Sequence, residues 1–336
     1  MKTHLIILLA VVAIMLGAST TSVQADGKVV VPDELQQRVE TEGWSQQWHD
    51  ELYNHEDPKV GLALRHMLRT KRDAEALKSG LVVHEWGSMQ HHLDTDTSEF
   101  DLIGEDRSDL PPFVKVLGDQ PMRGPHLMRK PIIYFYTQQK QKVVVTARFP
   151  EGVLTQWYPD VTHFAPQRDS QFLHKGQQPQ APRNGVLSWQ QVELNPATDA
   201  SLFAAVNANH PWWHIARDTD ATPVRVTDKR NAQTVERFLF YRGAGSYKPM
   251  VMPKRDKPGV DLSVRVPFSQ IDLRGVFLVR VNDSGATITH APVLRAEGTM
   301  TLAGPDAIRP TKEAAAIAKD QLIESLEAAG LFPKEA

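Results

Sequence analysis

The sequence predicts a mainly β, α+β protein: an antiparallel β-sandwich-like body, preceded by a helical pair and followed by one C-terminal helix. From residue 81 onward, short runs of β-branched and aromatic residues recur between Pro, Gly and Asp, which is typical of strands. No helical pattern lies between these runs, and this favours an antiparallel sandwich over a parallel βαβ sheet. The runs cover residues 81–86, 132–137, 143–149, 153–157, 186–194, 224–226, 235–241, 262–266, 276–281 and 286–289.

The polar residues 138–142 lie between two of these runs. A short polar segment between two predicted strands is a hairpin signal. We therefore expect the runs 132–137 and 143–149 to pair with each other.

Helical periodicity is confined to the two ends of the chain. Between Asp33 and Tyr53 apolar residues recur mostly four apart, which predicts a helix. Asp57 followed by Pro58 combines an N-cap with a proline at the first helical position, so a second helix starts there and ends before Gly80. A final helix is expected from Pro310-Thr311 to Ala329, with Gly330 as its stop.

The first 25 residues predict a secretion signal. Lys2 precedes an apolar run of about 13 residues, which is shorter than the roughly 20 residues of a membrane-spanning helix. Val23-Gln24-Ala25 suits cleavage before Asp26. An uncleaved membrane anchor is the alternative. We expect an exported protein, periplasmic or extracellular, with a helical segment over 26–80, a β-rich domain over 81–305 and a C-terminal helix over 306–336.

Composition excludes several classes of function. The formal net charge of −2 provides no basic surface for nucleic acid or for anionic lipid. The chain has no cysteine, so an exported form has no disulfides, and its hydrophobic core must carry its stability. Thiol catalysis and thiolate metal sites are excluded for the same reason. The chain also lacks the Gly-x-Ser-x-Gly elbow, the phosphate-binding lysine loop, the dinucleotide fingerprint and the His-Glu-x-x-His zinc helix.

The first candidate site is His84-Glu85-Trp86-Gly87, at the end of a predicted strand. Because strand side chains alternate, His84 and Trp86 share one face and Glu85 points to the other. Imidazole and carboxylate groups serve in acid–base chemistry and bind zinc. The candidate zinc ligands are His84, His91, His92 and Asp94. The alternative is a hydrogen-bonded His84 beside a solvated turn.

The acidic segment 94–109 also contains a partial calcium pattern. Asp94, Asp96, Ser98 and Glu105 fall at the first, third, fifth and twelfth positions of a calcium loop. Glu99 occupies the position where that loop needs glycine. Calcium binding and a simple solvated loop both remain open, and the absence of any metal is the simpler expectation.

The second candidate segment is 210–220, which contains two histidines, two tryptophans, Arg217 and Asp220. The histidines and carboxylates could hold a metal, and the Trp pair could stack on a sugar or peptide ring. Pro211 argues against a regular helix here. The alternative places one Trp in the core and pairs Arg217 with a local Asp.

The third candidate segment is 238–245, where a strand carries Tyr241 and Arg242 and then runs into Gly-Ala-Gly. The planar guanidinium of Arg242 could clamp a carboxylate or phosphate. An internal salt bridge is the alternative role.

Five motifs in order resemble an uncharacterised family of exported bacterial proteins. They are Val83–Gly87, Pro131–Tyr136, Leu154–Pro159, the segment 216–224 with Ala216-Arg217, Asp220-Ala221 and Pro223-Val224, and Glu236–Gly243, with a weaker echo at Ala328–Leu331. The resemblance implies export and lends no activity, because the family has none assigned. Ser88 and the His-rich turn depart from the family pattern, which weakens a metal site at His91 or His92.

Two functions follow as hypotheses. One is a non-enzymatic binding or structural module of the cell envelope, with a polysaccharide, peptide or small molecule as ligand. The other is an exported, metal-assisted hydrolase, with zinc or calcium as the candidate metal, in which His84 and Glu85 act as metal ligand or base and Arg217 or Arg242 orients an anionic group. We expect the site residues at neighbouring strand ends on one side of the body. The catalytic set is His84, Glu85, Arg217, Asp220 and Arg242, and the ligand-binding set is Trp157, Tyr158 and Tyr241.

Overall fold

A computed structural model describes residues 15–16, 29, 31–91, 102–103, 110–116, 123–124, 126–149, 152–165, 185–245, 250–255, 262–267, 269–301 and 308–336. The described residues between 80 and 248 form one compact unit, here called the sandwich unit. Those before residue 80 and after residue 248 form a second, here called the flanking unit. None of the described helices is both long and apolar enough to cross a membrane.

The helices and strands follow one another in a mainly antiparallel β chain with helices near both ends, which confirms the predicted α+β class. In chain order they are β1 (Met15–Leu16), α1 (Asp33–Glu42), α2 (Gln46–Glu51), α3 (Pro58–Leu77), β2 (Val82–His91), β3 (Leu102–Ile103), β4 (Lys115–Val116), β5 (Arg123–Gly124), β6 (His126–Tyr136), β7 (Gln141–Phe149), β8 (Gly152–Tyr158), β9 (His163–Ala165), β10 (Gly185–Leu194), α4 (Pro211–Arg217), β11 (Val224–Thr227), β12 (Gln233–Glu236), β13 (Leu239–Gly245), β14 (Met252–Arg255), β15 (Leu262–Arg265), β16 (Leu273–Asn282), β17 (Gly285–Leu294), β18 (Thr299–Thr301) and α5 (Thr311–Ala328).

Two antiparallel sheets form the layers of the sandwich unit, and β3 and β5 pair in a separate two-stranded sheet. The first has the strand order β2-β6-β13-β8-β4, and the second has the order β12-β11-β10-β7 with β9 also paired to β10. One buried cluster draws side chains from both sheets, which places the core between them. Its members include Phe135, Trp157, Leu187, Trp189, Val224 and Tyr241.

The predicted hairpin over 138–142 is wrong. Strand β6 pairs with β2 on one side and β13 on the other, so both of its edges are already occupied. Strand β7 pairs with β10 of the opposite sheet. The polar turn therefore carries the chain from one sheet to the other.

The helix ends agree with the local signals in the sequence. The Asp57 carboxylate accepts hydrogen bonds from the Lys59 and Val60 amides at the start of α3. Gly80 and Gly330 both have positive φ angles, of 88° and 98°, just beyond α3 and α5. The predicted helix 33–53 is interrupted at Gly43, where φ is 69° and α1 ends.

In the flanking unit, α1, α2 and α3 share one apolar cluster with Leu64 and Leu68 at its centre. A second cluster lies within the three-stranded sheet β14-β15-β18 and the hairpin β16-β17. Helix α5 packs on this hairpin, where the Ser325 hydroxyl lies 3.3 Å from His290 Nε2. Gly275 in β16 permits this approach, because a Cβ there would overlap the Cβ of Ser325.

Candidate functional site

The first sheet of the sandwich unit divides the predicted site residues between its two faces. Glu85 and Tyr241 meet on the face that borders the sandwich core. His84 contacts Tyr136 and Arg242 contacts Gln156 on the opposite face. The cause is the alternation of side chains along β2 and β13, which turns adjacent residues to opposite faces. The eight residues therefore do not form the one-sided site that we expected.

Glu85 and Tyr241 form the most site-like pair of this set. The phenol of Tyr241 donates a hydrogen bond to Oε1 of Glu85. The Tyr241 side chain belongs to the buried core cluster, whereas Glu85 is exposed. The neighbouring inner-face residue of β2, Val83, is half-buried. The pair thus lies at an open margin of the sandwich interior, with the carboxylate facing solvent.

Burial raises the pKa of Tyr241 above its ordinary value, and the Glu85 carboxylate raises this pKa further. The phenol therefore stays protonated at neutral pH and acts as a hydrogen-bond donor. A carboxylate has further acceptor positions besides the one that Tyr241 fills. Chemically, the pair offers a fixed acceptor to hydroxyl or ammonium groups of a ligand.

Trp157 and Tyr158 are buried. The Trp157 ring is 3% exposed, stacks on Phe164 at a centroid distance of 4.9 Å and donates from Nε1 to Asp160. The Tyr158 ring packs 4.5 Å from Phe113, and burial raises the pKa of its phenol above the ordinary value. Both rings have packing contacts where we expected ligand contacts.

Arg217 is held by a buried carboxylate that the sequence-based site did not include. Glu236 is fully buried and accepts from Arg217 Nε at 2.9 Å and from Nη2 at 2.6 Å. It also accepts from Trp213 Nε1 at 3.2 Å and from the Arg237 amide at 2.7 Å. This bidentate geometry is that of a strong ion pair. The partner is Glu236 on β12, so the alternative was wrong in pairing Arg217 with a local Asp, although Trp213 is a core residue as that alternative expected.

Helix α4 positions Arg217 for this contact. Pro211 lies in the first turn of α4, where a proline does not interrupt hydrogen bonds, so the expectation that Pro211 opposes a helix is wrong. The helix buries Trp213 and directs Arg217 toward Glu236 at the end of β12. Asp220 lies beyond the helix and is exposed. Burial lowers the pKa of Arg237 overall, and the nearby carboxylate of Asp220 opposes part of this lowering.

His84 and Arg242 are both buried on the outer face of the sheet. His84 lies with its ring centroid 5.2 Å from that of Tyr136. The Arg242 guanidinium donates to Gln156 Oε1 at 3.2 Å and lies over the rings of Trp212 and Phe240. These contacts anchor Arg242 between β8, β13 and α4.

Part of the predicted metal set falls outside the described residues. This holds for His92, Asp94 and most of the acidic segment, while His91 is described only as the last backbone position of β2. Within the described residues, no group of three or more His, Asp and Glu side chains is arranged to hold a metal ion.

A second charged cluster, in the flanking unit, was missed by sequence reasoning. It joins His49 and Asp50 of α2, Arg65 and Arg69 of α3, and acidic residues of α5. A signal was present: Arg65 and Arg69 directly follow the fully buried Leu64 and Leu68, so each shares the apolar stripe of α3. Charges on a buried stripe indicate partners on another element.

Comparison with known proteins provides no family. No family model, curated protein or solved structure matches the chain. Function is therefore inferred from the chemistry of the residues alone.

Proposed function

We propose that this protein is an exported, non-enzymatic binding module that holds a hydroxyl-rich ligand of the cell envelope, a polysaccharide, at Glu85. The observation that carries the proposal is the hydrogen bond from the buried Tyr241 phenol to the exposed Glu85 carboxylate. A carboxylate fixed on rigid strands loses little freedom when a ligand binds, and its remaining lone pairs accept from sugar hydroxyls.

The placement of the other candidate groups supports binding over hydrolysis. The hydrolase hypothesis needs His84, Glu85 and an arginine on one side of the sheet, and the strands turn His84 and Glu85 to opposite faces. Arg217 is paired with the buried Glu236, so using it for a substrate would leave a buried carboxylate uncompensated. Tyr241 keeps its proton at neutral pH and is therefore a poor base.

Isothermal titration of the full chain with chitotetraose and with cellotetraose tests this proposal. We expect at least one tetrasaccharide to bind, and Glu85→Gln to weaken it about tenfold, since a hydrogen bond to a charged group contributes roughly 1.5–3 kcal/mol. Asp218→Asn, which alters another exposed carboxylate of the same unit, is the matched control and should leave the affinity unchanged.

The same samples decide between the two hypotheses. Equal affinity of the wild type and Glu85→Gln, or silence with both sugars, contradicts the proposed site. Cleavage products in mass spectra of the titrated sugar would instead establish a hydrolase. Export is tested separately by sequencing the N-terminus of protein recovered from the producing cells, which should begin at Asp26.

A further inference from the structure

Arg69 in the flanking unit connects three helices through two titratable acceptors. Its Nη1 lies 3.3 Å from Nε2 of His49 on α2, and its Nη2 lies 3.3 Å from Oε2 of Glu327 on α5. The Arg69 side chain itself belongs to α3 and is 5% exposed as a residue. Its charge is therefore compensated by the protein more than by water.

The geometry fixes the protonation state of His49. A guanidinium has only donors, so Nε2 of His49 must accept from Arg69 and cannot itself carry a proton. The proton of the neutral ring then sits on Nδ1, which lies 3.6 Å from Oδ1 of Asp50, beyond the reach of a hydrogen bond. A second proton on the ring would place an N–H and a positive charge directly against Arg69.

The surroundings of His49 are dominated by cations from other elements. Arg65 and Arg69 face it from α3, and Arg274 of β16 holds the shared Asp50 carboxylate at 2.5 Å. Tyr53 packs against the ring edge, with a centroid distance of 5.7 Å. On the side of α5, Glu324 pairs with Arg65 at 2.5 Å. Only Asp50 adjoins the imidazole as an anion among the described residues, and Arg274 already shares it.

We propose that the Arg69 bridge, which holds α3 to both α2 and α5, is acid-sensitive, because its acceptor His49 becomes a cation when it takes up a proton. Protonated His49 repels Arg69, and a protonated Glu327 offers no charge that would offset this repulsion. Among the described residues, the other hydrogen-bonded or ion-paired contacts from α3 to α5 are the Arg65 pair with Glu324 and the Arg72 bonds to the carbonyls of Glu327 and Ala328. Loss of the Arg69 contacts therefore loosens α5 while the sandwich unit keeps its fold.

Electrostatics agree with this geometry. Burial lowers the pKa of His49 to about 4, and the coulombic effect of Arg69 adds to the lowering. Burial raises the pKa of Glu327 above its ordinary value. For His49 the unfolded ring takes up its proton near pH 6.5 and the folded ring near 4, so stability falls as the pH drops through that window. The contribution of Glu327 to the pH dependence of stability has the opposite sign, since Glu327 gains its proton more readily in the folded state. Once Glu327 is protonated, Arg69 depends on His49 as its acceptor.

Hydrogen exchange with peptide resolution on the full chain tests the proposal at pH 7 and pH 4.5, after correction for intrinsic exchange rates. We expect protection of α5 and α3 to fall about tenfold or more, while β6 and β10 of the sandwich unit change little. His49→Gln keeps an acceptor for Arg69 but cannot gain a charge, so most of the fall should disappear. His214→Gln, at an exposed histidine of α4, is the control and should behave as the wild type. Equal falls in all three proteins, or none in the wild type, would overturn the proposal.

A measurement on the unaltered protein keeps the test decisive if His49→Gln does not fold. Nitrogen-15 spectra of the histidine rings distinguish the two neutral tautomers. We expect His49 to carry its proton on Nδ1 at pH 7 and to stay neutral below pH 5. A ring protonated on Nε2, or one that titrates near pH 6.5, contradicts the role given to Arg69.

Discussion

The buried pair of Arg217 and Glu236 permits the sharpest test of the sandwich unit. The change is Glu236→Gln, which keeps the shape of the side chain and removes its charge. Glu236 is fully buried and holds Arg217, Trp213 and the Arg237 amide. The substitution leaves the guanidinium of Arg217 facing an amide whose NH₂ group cannot accept its hydrogen bonds.

The magnitude follows from this environment. Removing one partner of a buried ion pair costs about 3–5 kcal/mol, because the other charge stays buried without compensation. The Arg217 side chain is 14% exposed, so water relieves little of this cost. Because the glutamine oxygen can keep one of the hydrogen bonds, we expect a loss of about 3 kcal/mol in the free energy of unfolding.

Urea unfolding followed by tryptophan fluorescence is the assay, since five of the seven tryptophans of the chain, Trp213 among them, lie in the sandwich unit. The matched control is Lys140→Gln, which breaks the exposed pair with Glu193 and should cost at most about 1 kcal/mol. The double variant Arg217→Met with Glu236→Leu should regain only part of the loss, because an apolar pair removes both buried charges but leaves Trp213 Nε1 and the Arg237 amide without their acceptor. A loss for Glu236→Gln that lies within about 1 kcal/mol of the control would refute the reasoning.

Three further outcomes are expected. Gly275→Ala should destabilise the flanking unit by about 2–4 kcal/mol in thermal unfolding, because φ is positive there and the new Cβ meets Ser325. Gly80→Ala, where φ is also positive but the added Cβ meets nothing within 4 Å, should cost only about 1 kcal/mol, and equal losses would discount the contact. Gly87→Ala should destabilise the sandwich unit by about 1–3 kcal/mol, since its Cβ would lie 2.9 Å from the Pro131 backbone, and unchanged urea unfolding would contradict that contact. The free energy of unfolding should fall above about pH 10, because unfolded tyrosines lose their protons there while burial raises the pKa of Tyr158 and Tyr241 in the folded chain. Phenolate absorbance that rises before the circular-dichroism signal of the folded chain is lost would count against this prediction.

Local signals in the sequence were sufficient for the parts of the fold that depend on neighbouring residues. The Asp57-Pro58 start of α3 and the Gly330 stop after α5 involve groups within one helical turn, so the residue types predict them directly. The opposite orientation of His84 and Glu85 also follows from alternation along a single strand, and the structure confirms it. The class of the body followed from the recurrence of strands without intervening helices.

Pairing between distant segments could not be predicted in the same way. Alternation assigns Tyr241 and Arg242 to opposite faces but does not say that Glu85 lies two strands away from Tyr241 across β6. The hairpin prediction failed for this reason, because the occupied edges of β6 come from β2 and β13, far away in sequence. Side chains alternate along both β2 and β13. This alternation alone prevents all the candidate residues from lying on one face of the sheet.

The two units use buried arginines in the same way. Arg217 attaches α4 to β12, and Arg65, Arg69 and Arg72 attach α5 to α3, each through acceptors fixed on the other element. An apolar face specifies that two elements touch but tolerates small shifts along the interface, whereas a guanidinium fork matched to one carboxylate fixes a single position. Because the chain has no cysteine to cross-link its segments, we infer that these pairs serve mainly to select one packing. The double variant with Arg217→Met and Glu236→Leu distinguishes a role in specificity from a role in packing. If stability returns while the amide NMR signals of residues 211–236 broaden, the ion pair supplies specificity. If these signals stay sharp, packing alone suffices.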